Sequence, residues 1–99
     1  MEDIRSPVST KSPKFMDRFR LFIRARYMAF KTEKTYCYWV AYFIRFHKKR
    51  NPVDMGSREV EAFLEYLSAH QNVAPNTQKT ALNALVFLYH KFLTKDLAI

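Results

Sequence analysis

Apolar side chains recur every three or four residues in four separate stretches of the chain, which is the spacing of amphipathic helices. Ser12 and Pro13 suit the N-cap and first position of the first helix, and Ser57 suits the N-cap of the third. The predicted helices span about residues 13–28, 31–49, 57–70 and 76–93. No segment alternates between apolar and polar residues over a useful length. The pattern predicts an all-α domain of four helices over residues 13–99, preceded by a flexible tail at residues 1–12.

Each predicted helix has one apolar face, and together these faces are expected to form the core. The positions expected to be buried are Phe15, Phe19, Phe22, Ile23, Tyr27, Tyr36, Trp39, Val40, Phe43, Phe46, Val60, Phe63, Leu64, Leu67, Ala81, Leu82, Leu85, Leu88, Tyr89 and Phe92. His47 lies on the same arc and is expected to be a buried or rim histidine rather than a metal ligand. Leu21 lies away from the apolar face of the first helix.

The second predicted helix contains "KTEKTYCYWVAYFIRF", residues 31–46, in which six side chains are aromatic. On a wheel that advances by about 100° per residue, a second stripe lies opposite the core face. Its members are basic, hydroxyl-bearing or aromatic, and none is acidic: Lys31, Lys34, Thr35, Tyr38, Tyr42 and Arg45. Two interpretations are open: a solvated face whose tyrosines cover neighbouring side chains, or a surface that binds a polyanion.

The starts of the second and fourth helices resemble each other, because "AFKTEKT" at 29–35 and "APNTQKT" at 74–80 share Ala, Thr, Lys and Thr. The offset of 45 residues pairs Lys34 with Lys79, Thr35 with Thr80, Tyr38 with Asn83, Tyr42 with Phe87 and Arg45 with His90. The outer stripe of the fourth helix consists of Asn76, Lys79, Thr80, Asn83 and His90, with Phe87 among them. Lysines attract phosphates, hydroxyls and amides bond phosphates or base edges, and a helix fits the major groove of B-DNA. These two helices predict a surface that binds duplex DNA.

The charge distribution points the same way. The chain has a net charge of +8, with twelve bases and two acids between Lys11 and Arg50 but four acids and one base between Asp54 and Glu65. Such a basic half favours a polyanionic partner.

Other classes of function lack their sequence signals. Apolar runs such as "ALVFLY" at 84–89 are far shorter than the roughly 20 residues of a membrane span. The first residues lack the apolar centre of a signal peptide, so a cytoplasmic protein is expected. A single cysteine, Cys37, and a single glycine, Gly56, provide no paired-cysteine metal motif and no glycine-rich phosphate loop. No metal or cofactor is expected.

Three motifs occur in order: "TYCYWVAYFIRFH" at 35–47, "GSREVEAFLEYL" at 56–67 and "ALNALVFLY" at 81–89. In order and spacing they resemble the N-terminal core-binding region of integron integrases, a branch of the tyrosine recombinases, over about residues 14–97. The resemblance implies a four-helix, SAM-like domain whose second and fourth helices cross the grooves of a recombination site. A separate catalytic half then clamps the opposite side of the duplex.

The resemblance also implies which residues contact DNA: Lys31, Lys34, Thr35, Tyr38, Asn76, Thr77, Lys79, Thr80 and Asn83. The stripes add Tyr42, Arg45 and His90 to this predicted DNA-binding set. Family members cleave DNA with a tyrosine in a C-terminal domain that is missing here, so this fragment is not expected to be an enzyme. The implied partners are duplex DNA recombination sites and, in a full-length assembly on DNA, other recombinase protomers. The isolated domain is expected to be monomeric and to have no membrane partner.

One departure from the family concerns the helix starts. Many tyrosine recombinases carry Ser where Ala29 and Ala74 stand, so a different cap, for instance Asn76, is expected for these helices.

Two other functions also fit the sequence. The first is a stand-alone helical regulator that binds DNA through the same helices, and continuation of the reading frame after Ile99 into a catalytic domain would exclude it. The second is a protein-interaction domain that uses Tyr38, Tyr42 and Phe87 as an apolar patch. Salt-insensitive binding to a protein would favour the second.

Overall fold

The computed structural model describes residues 15–97. This part of the chain forms four α-helices, α1 (Phe15–Ala25), α2 (Phe30–Phe46), α3 (Ser57–Ala69) and α4 (Pro75–Phe87). A 3-10 turn (Pro52–Asp54) precedes α3, and a π-helical turn (Leu88–Phe92) continues α4. No strand occurs between residues 15 and 97, and the predicted all-α fold is confirmed. The predicted tail and the predicted first helix start, at Ser12 and Pro13, lie outside the described residues.

Aromatic rings join the four helices into one core. The buried apolar residues are Phe19, Ile23, Cys37, Trp39, Val40, Phe43, Met55, Val60, Phe63, Leu67, Ala81, Ala84, Leu85, Leu88 and Tyr89. The ring of Phe43 lies 5.7 Å from that of Phe63 and 6.4 Å from that of Tyr89, which ties α2 to α3 and to the π-helical turn. Phe19 of α1 contacts the ring of Phe92 at 5.4 Å. Such edge-to-face pairs add about 0.5–1.5 kcal/mol each to the burial of their surface.

Both α1 and α2 end earlier than the hydrophobic pattern predicts. After α1, Tyr27 adopts a left-handed backbone with φ 56° and its side chain is 96% exposed, so its predicted burial is wrong. After α2, Lys48 and Lys49 have φ values of 58° and 64°. The Lys49 N–H donates to the carbonyl of Ile44 at 2.8 Å, which closes the helix as in a Schellman motif. A left-handed backbone costs roughly 1–2 kcal/mol at a residue other than glycine.

The N-terminus of α3 is capped differently from the prediction. Gly56 is the N-cap residue, and Ser57 is already the first helical residue. The Glu59 carboxylate accepts a hydrogen bond from the Gly56 N–H at 2.8 Å, so Glu59 and not Ser57 provides the cap. This N–H, with a smaller contribution from Arg50, lowers the pKa of Glu59 below its usual range.

The predicted fourth helix is divided, because the α-helical pattern ends at Phe87 and a wider turn follows. In this turn the Leu93 N–H donates to the carbonyl of Leu88 at 2.9 Å, five residues back. The turn places Tyr89 in the core, where its hydroxyl donates to the carbonyl of Pro52 at 2.8 Å. Burial raises the pKa of Tyr89 well above its ordinary value. The end of the described chain is therefore tied to the loop before α3.

Replacement of Trp39 with alanine should destabilise the domain strongly. The indole is 8% exposed and lies 6.0 Å from the ring of Tyr42 in a stacked arrangement. Removal of a buried Trp typically costs ~3–5 kcal/mol, a large part of the ~5–15 kcal/mol that holds a domain folded. Lys31→Ala is the matched control, because its side chain is exposed on the same helix and does not contact Trp39. Urea denaturation of both variants tests this, and equal midpoints would contradict the assignment of Trp39 to the core.

Candidate nucleic-acid interface

The outer stripe of α2 is largely exposed, as the helical wheel predicts. Lys31, Lys34, Tyr38 and Arg45 are exposed and Thr35 is half-buried. Two of the cations lie against rings of their own helix: Lys34 Nζ is 5.5 Å from the ring centre of Phe30, and the Arg45 guanidinium is 5.6 Å from that of Tyr42. The exposed stripe is thus cationic over the length of the helix, and no acidic side chain belongs to it.

Tyr42 does not belong to the outer stripe in the way the wheel predicts. Its ring is half-buried and packs edge-to-face against Phe63 of α3 at 5.2 Å. It also contacts the ring of Tyr66 at 6.5 Å, and a hydrogen bond with Tyr66 raises the pKa of Tyr42. The predicted outward position of Tyr42 is corrected, because a long ring at the margin of the wheel reaches the core, while its predicted contact with DNA stays a prediction. Tyr42 is therefore a link between α2 and α3.

Phe87, the counterpart of Tyr42 in the repeat, is corrected in the same way. Its ring lies 5.2 Å from Tyr36 of α2, 6.0 Å from Phe19 and 5.8 Å from Phe22 of α1. Its ring is half-buried between α1 and α2 and is therefore not a fully outward aromatic group. The repeat therefore relates partly buried as well as exposed positions, since both rings occupy the same place in their helices and both pack against the core.

The outer stripe of α4 is polar and mostly exposed. Asn76, Thr77, Lys79 and Asn83 are exposed, and Thr80 is half-buried. The Thr80 hydroxyl donates to the carbonyl of Asn76 at 3.1 Å, one turn back in the helix. This stripe offers one cation, two amides and two hydroxyls on successive turns.

His90 lies apart from the other α4 residues of the predicted set. It belongs to the π-helical turn, and its Nε2 accepts a hydrogen bond from the Leu97 N–H at 3.4 Å. It is exposed, but it faces the end of the described chain. The wheel assumes a continuous α-helix and therefore does not describe the π-helical turn, and the predicted DNA contact of His90 stays a prediction.

The two helices begin with the same backbone geometry. Ala29, the N-cap of α2, has φ −61° and ψ 146°, and Ala74, the N-cap of α4, has φ −63° and ψ 151°. Neither helix has a side-chain cap, so the expectation that Asn76 caps α4 is wrong. The first-turn N–H groups of a helix have no partner within the helix and attract anions. The similar backbone angles of Ala29 and Ala74 show that the 45-residue offset also relates the two helix starts.

Glu33 is the important residue that sequence reasoning missed. It is buried in the first turn of α2, with 2% exposure, on the side opposite the outer stripe. Arg24 of α1 donates to both carboxylate oxygens, with each N–O distance 3.1 Å, and Arg20 Nε lies 3.6 Å from the same group. The signal in the sequence is the spacing of Arg20 and Arg24 by one helical turn. This cluster fixes the start of α2 against α1.

The structure of residues 15–97 does not indicate a metal site or a membrane-spanning helix. No group of His, Cys, Asp and Glu side chains in this range could hold a metal ion. His47 lies at the rim of the core, as predicted, and its Nε2 is 2.9 Å from the carbonyl oxygen of Glu59. Cys37 is buried, and burial raises the pKa of its thiol. No helix in the described range has the length and apolar character needed to cross a membrane.

Comparison with known protein families identifies this arrangement of helices. The profile of the family "Phage integrase, N-terminal SAM-like domain" matches residues 15–99. The chain belongs to this family. The SAM-like fold expected from the three motifs is thereby shown.

Two relatives carry the printed name "Integrase/recombinase", one from Escherichia coli and one from Pseudomonas aeruginosa. Each is 45% identical to the chain over 87 residues, which is 88% of this chain and 26% of the relative. The SAM-like domain thus spans about a quarter of the length of these integrase/recombinase proteins.

Loss of the buried carboxylate should weaken the SAM-like domain. Glu33→Gln leaves Arg20 and Arg24 without their shared counter-charge, and breaking a buried ion pair typically costs 3–5 kcal/mol. Because the Arg24 side chain is 21% exposed, a loss of about 2–4 kcal/mol in the free energy of unfolding is expected here. Glu61→Gln on the exposed side of α3 is the control and should change stability by less than ~0.5 kcal/mol. Equal denaturation midpoints would mean that Glu33 does not fix α2.

Proposed function

We propose that this chain is the DNA-binding core-binding domain of a site-specific tyrosine recombinase of the integron integrase type, which takes part in DNA integration and recombination. The observation that carries the proposal is the pair of equivalent helices, α2 and α4. Each begins with the same backbone geometry at its N-cap and presents an exposed Lys one turn further on, at Lys34 and Lys79. The membership of the chain in the SAM-like family supports the same function.

The chemistry of the two outer stripes suits duplex DNA. Lys31, Lys34, Lys79 and Arg45 would neutralise phosphates and release counterions. Asn76 and Asn83 can bond phosphate oxygens or the edges of bases, and a helix of this size fits the major groove. The exposed ring of Tyr38 would pack against deoxyribose or a thymine methyl group. The acidic outer face of α3, with Glu61 and Glu65, would point away from the duplex.

We propose that DNA strand cleavage takes place in another part of a longer protein. The relatives named "Integrase/recombinase" are about four times as long as the stretch they share with this chain. We propose no catalytic residue within the SAM-like domain, and the buried hydroxyl of Tyr89 is engaged in the fold by its bond to Pro52. In a full-length assembly the partners would be a duplex recombination site and other recombinase protomers.

The integron type rests on the three motifs at 35–47, 56–67 and 81–89. Two classes of substrate fit it: partly palindromic duplex sites and folded single-stranded hairpins. Selection of bound sequences from a random library, with the full-length protein, distinguishes these classes. Enrichment of neither class would argue against the integron type.

Replacement of either equivalent lysine should weaken DNA binding without unfolding the domain. Lys34→Ala and Lys79→Ala each remove one phosphate contact, so the slope of log K against log salt concentration should fall by about one unit. Thermal stability should change by no more than ~0.5 kcal/mol, because both side chains are exposed. Titration of a labelled duplex at several salt concentrations measures the slope, and thermal melts measure the stability.

The control for this experiment is Arg58→Ala at the start of α3. Arg58 is exposed and its loss changes the net charge by the same amount, but it lies on neither stripe. Its variant should keep the wild-type slope. If all three variants lose the same affinity, binding reflects net charge alone, and if none does, the two stripes are not a DNA-binding surface.

A further inference from the structure

Tyr27, in the turn between α1 and α2, has no packing role in the described part of the chain. Its side chain is 96% exposed, compared with 44% for Leu21, the exposed apolar residue of α1. Among residues 15–97 its ring contacts no other ring and its hydroxyl makes no hydrogen bond. Single exposed apolar residues are normal on protein surfaces, so exposure alone does not define a role for this tyrosine.

The backbone at Tyr27 adds a second, independent observation. Its φ of 56° lies in the left-handed region, where a bulky residue is an outlier. The other left-handed residues in the described range are polar: Lys48, Lys49, Asn72 and Thr94. An exposed aromatic residue in this conformation contributes nothing to the fold that glycine or asparagine would not provide. Residues held in disfavoured conformations cluster at binding sites, so the exposed, left-handed Tyr27 is a candidate for contact with a ligand.

The position of Tyr27 in the chain, just before the start of α2, favours DNA as the ligand. It lies two residues before Ala29, the N-cap of α2, and four before Lys31, the first cation of the outer stripe. A chain spans at most about 3.6 Å per residue, so the Cα atoms of Tyr27 and Lys31 are within ~14 Å of each other. Because Tyr27 and Lys31 are both exposed and lie within this distance, a duplex that contacts Lys31 would also pass close to Tyr27.

We infer that Tyr27 is a DNA contact outside the two helical stripes. Its hydroxyl donates to a phosphate oxygen, and its ring packs against the adjoining deoxyribose, at the edge of the groove that α2 enters. Tyrosine hydroxyls are among the side-chain groups that bond phosphates, and the ring supplies a rigid contact with few rotatable bonds to order. The inference rests on the proposed function, because it extends the same surface beyond the N-terminus of α2.

Two variants of the 99-residue chain test this inference on the labelled duplex of the lysine experiment. Tyr27→Gly removes ring and hydroxyl and should weaken binding roughly five- to twenty-fold, in the range of the loss of one stacked or packed aromatic contact. Tyr27→Phe removes the hydroxyl alone and should weaken binding by a smaller factor, about two- to five-fold. Tyrosine carries no charge, so neither variant should change the salt slope.

The melting temperature separates this contact from a structural role. Tyr27→Gly should melt at or above the wild-type temperature, because glycine tolerates the left-handed backbone. A DNA contact at Tyr27 therefore predicts that Tyr27→Gly loses affinity for DNA and loses no stability. Leu21→Ala is the matched control, since it removes an exposed apolar side chain from the preceding helix and should leave affinity unchanged. If Tyr27→Gly melts at a lower temperature, Tyr27→Phe decides: a two-fold or larger loss of affinity supports the contact, and wild-type affinity overturns it.

The lysine variants distinguish failure of this inference from failure of the proposed function. Wild-type affinity in both Tyr27 variants, together with weak binding by Lys34→Ala, overturns the inference and leaves the two stripes intact. Wild-type affinity in the Tyr27, Lys34 and Lys79 variants together overturns both.

Discussion

The packing of α2 against the α4 region is the constraint on which the rest of the structure depends. Tyr36 meets Phe87 at 5.2 Å, and Phe43 meets Tyr89 of the following turn at 6.4 Å. Once these rings face inward, the periodicity of the helix directs Lys34 outward on α2 and its counterpart Lys79 outward on α4. The same packing that makes the core therefore determines which side chains are available to a partner. If the two helices packed through another face, the lysines would point toward the core, where an unpaired charge is very unfavourable.

The packing of the helices also determines which charged side chains stay exposed. The basic half of the chain would place many cations on one surface, but Glu33 draws Arg20 and Arg24 toward the contact between α1 and α2. Arg50 is similarly engaged, because its guanidinium bonds the Asp54 carbonyl at 2.8 Å and lies 3.4 Å from Glu59. The bases that stay exposed on α2 are those of the outer stripe. A buried acid thus helps to define a basic surface, since it removes two arginines that would otherwise compete for the same anions.

The sequence predicted the four helices and most of the core, because helical periodicity is a local property. It also predicted the exposure of Lys34, Tyr38 and Lys79. It failed where a contact depended on another element of the fold. Tyr42 and Phe87 lie near the margin of their wheels, and only the positions of α3 and α1 show that their rings turn inward. The wheel predicts that both residues face outward, because it considers direction and not the reach of a ring.

Tertiary contacts also explain the other errors. The burial of Glu33 requires the arginines of α1, and the π-helical turn accommodates a hydrogen bond from Tyr89 to Pro52, which is 37 residues away. The early end of α1 left Tyr27 exposed although its spacing fits the apolar face. The ends of helices are decided by where the chain must reverse, and a periodic pattern contains no information about that reversal.

A map of the DNA contact on the isolated chain tests most directly whether α2 and α4 form one DNA-binding surface. Amide chemical shifts of isotope-labelled protein would be followed by NMR while a duplex is added at low salt. If α2 and α4 bind the duplex, the largest changes will fall at 27–38 and 74–83, with little change along the outer face of α3 near Glu61 and Glu65. Changes concentrated on α3, or no change at the two helix starts, would contradict the claim that α2 and α4 form a DNA-binding surface.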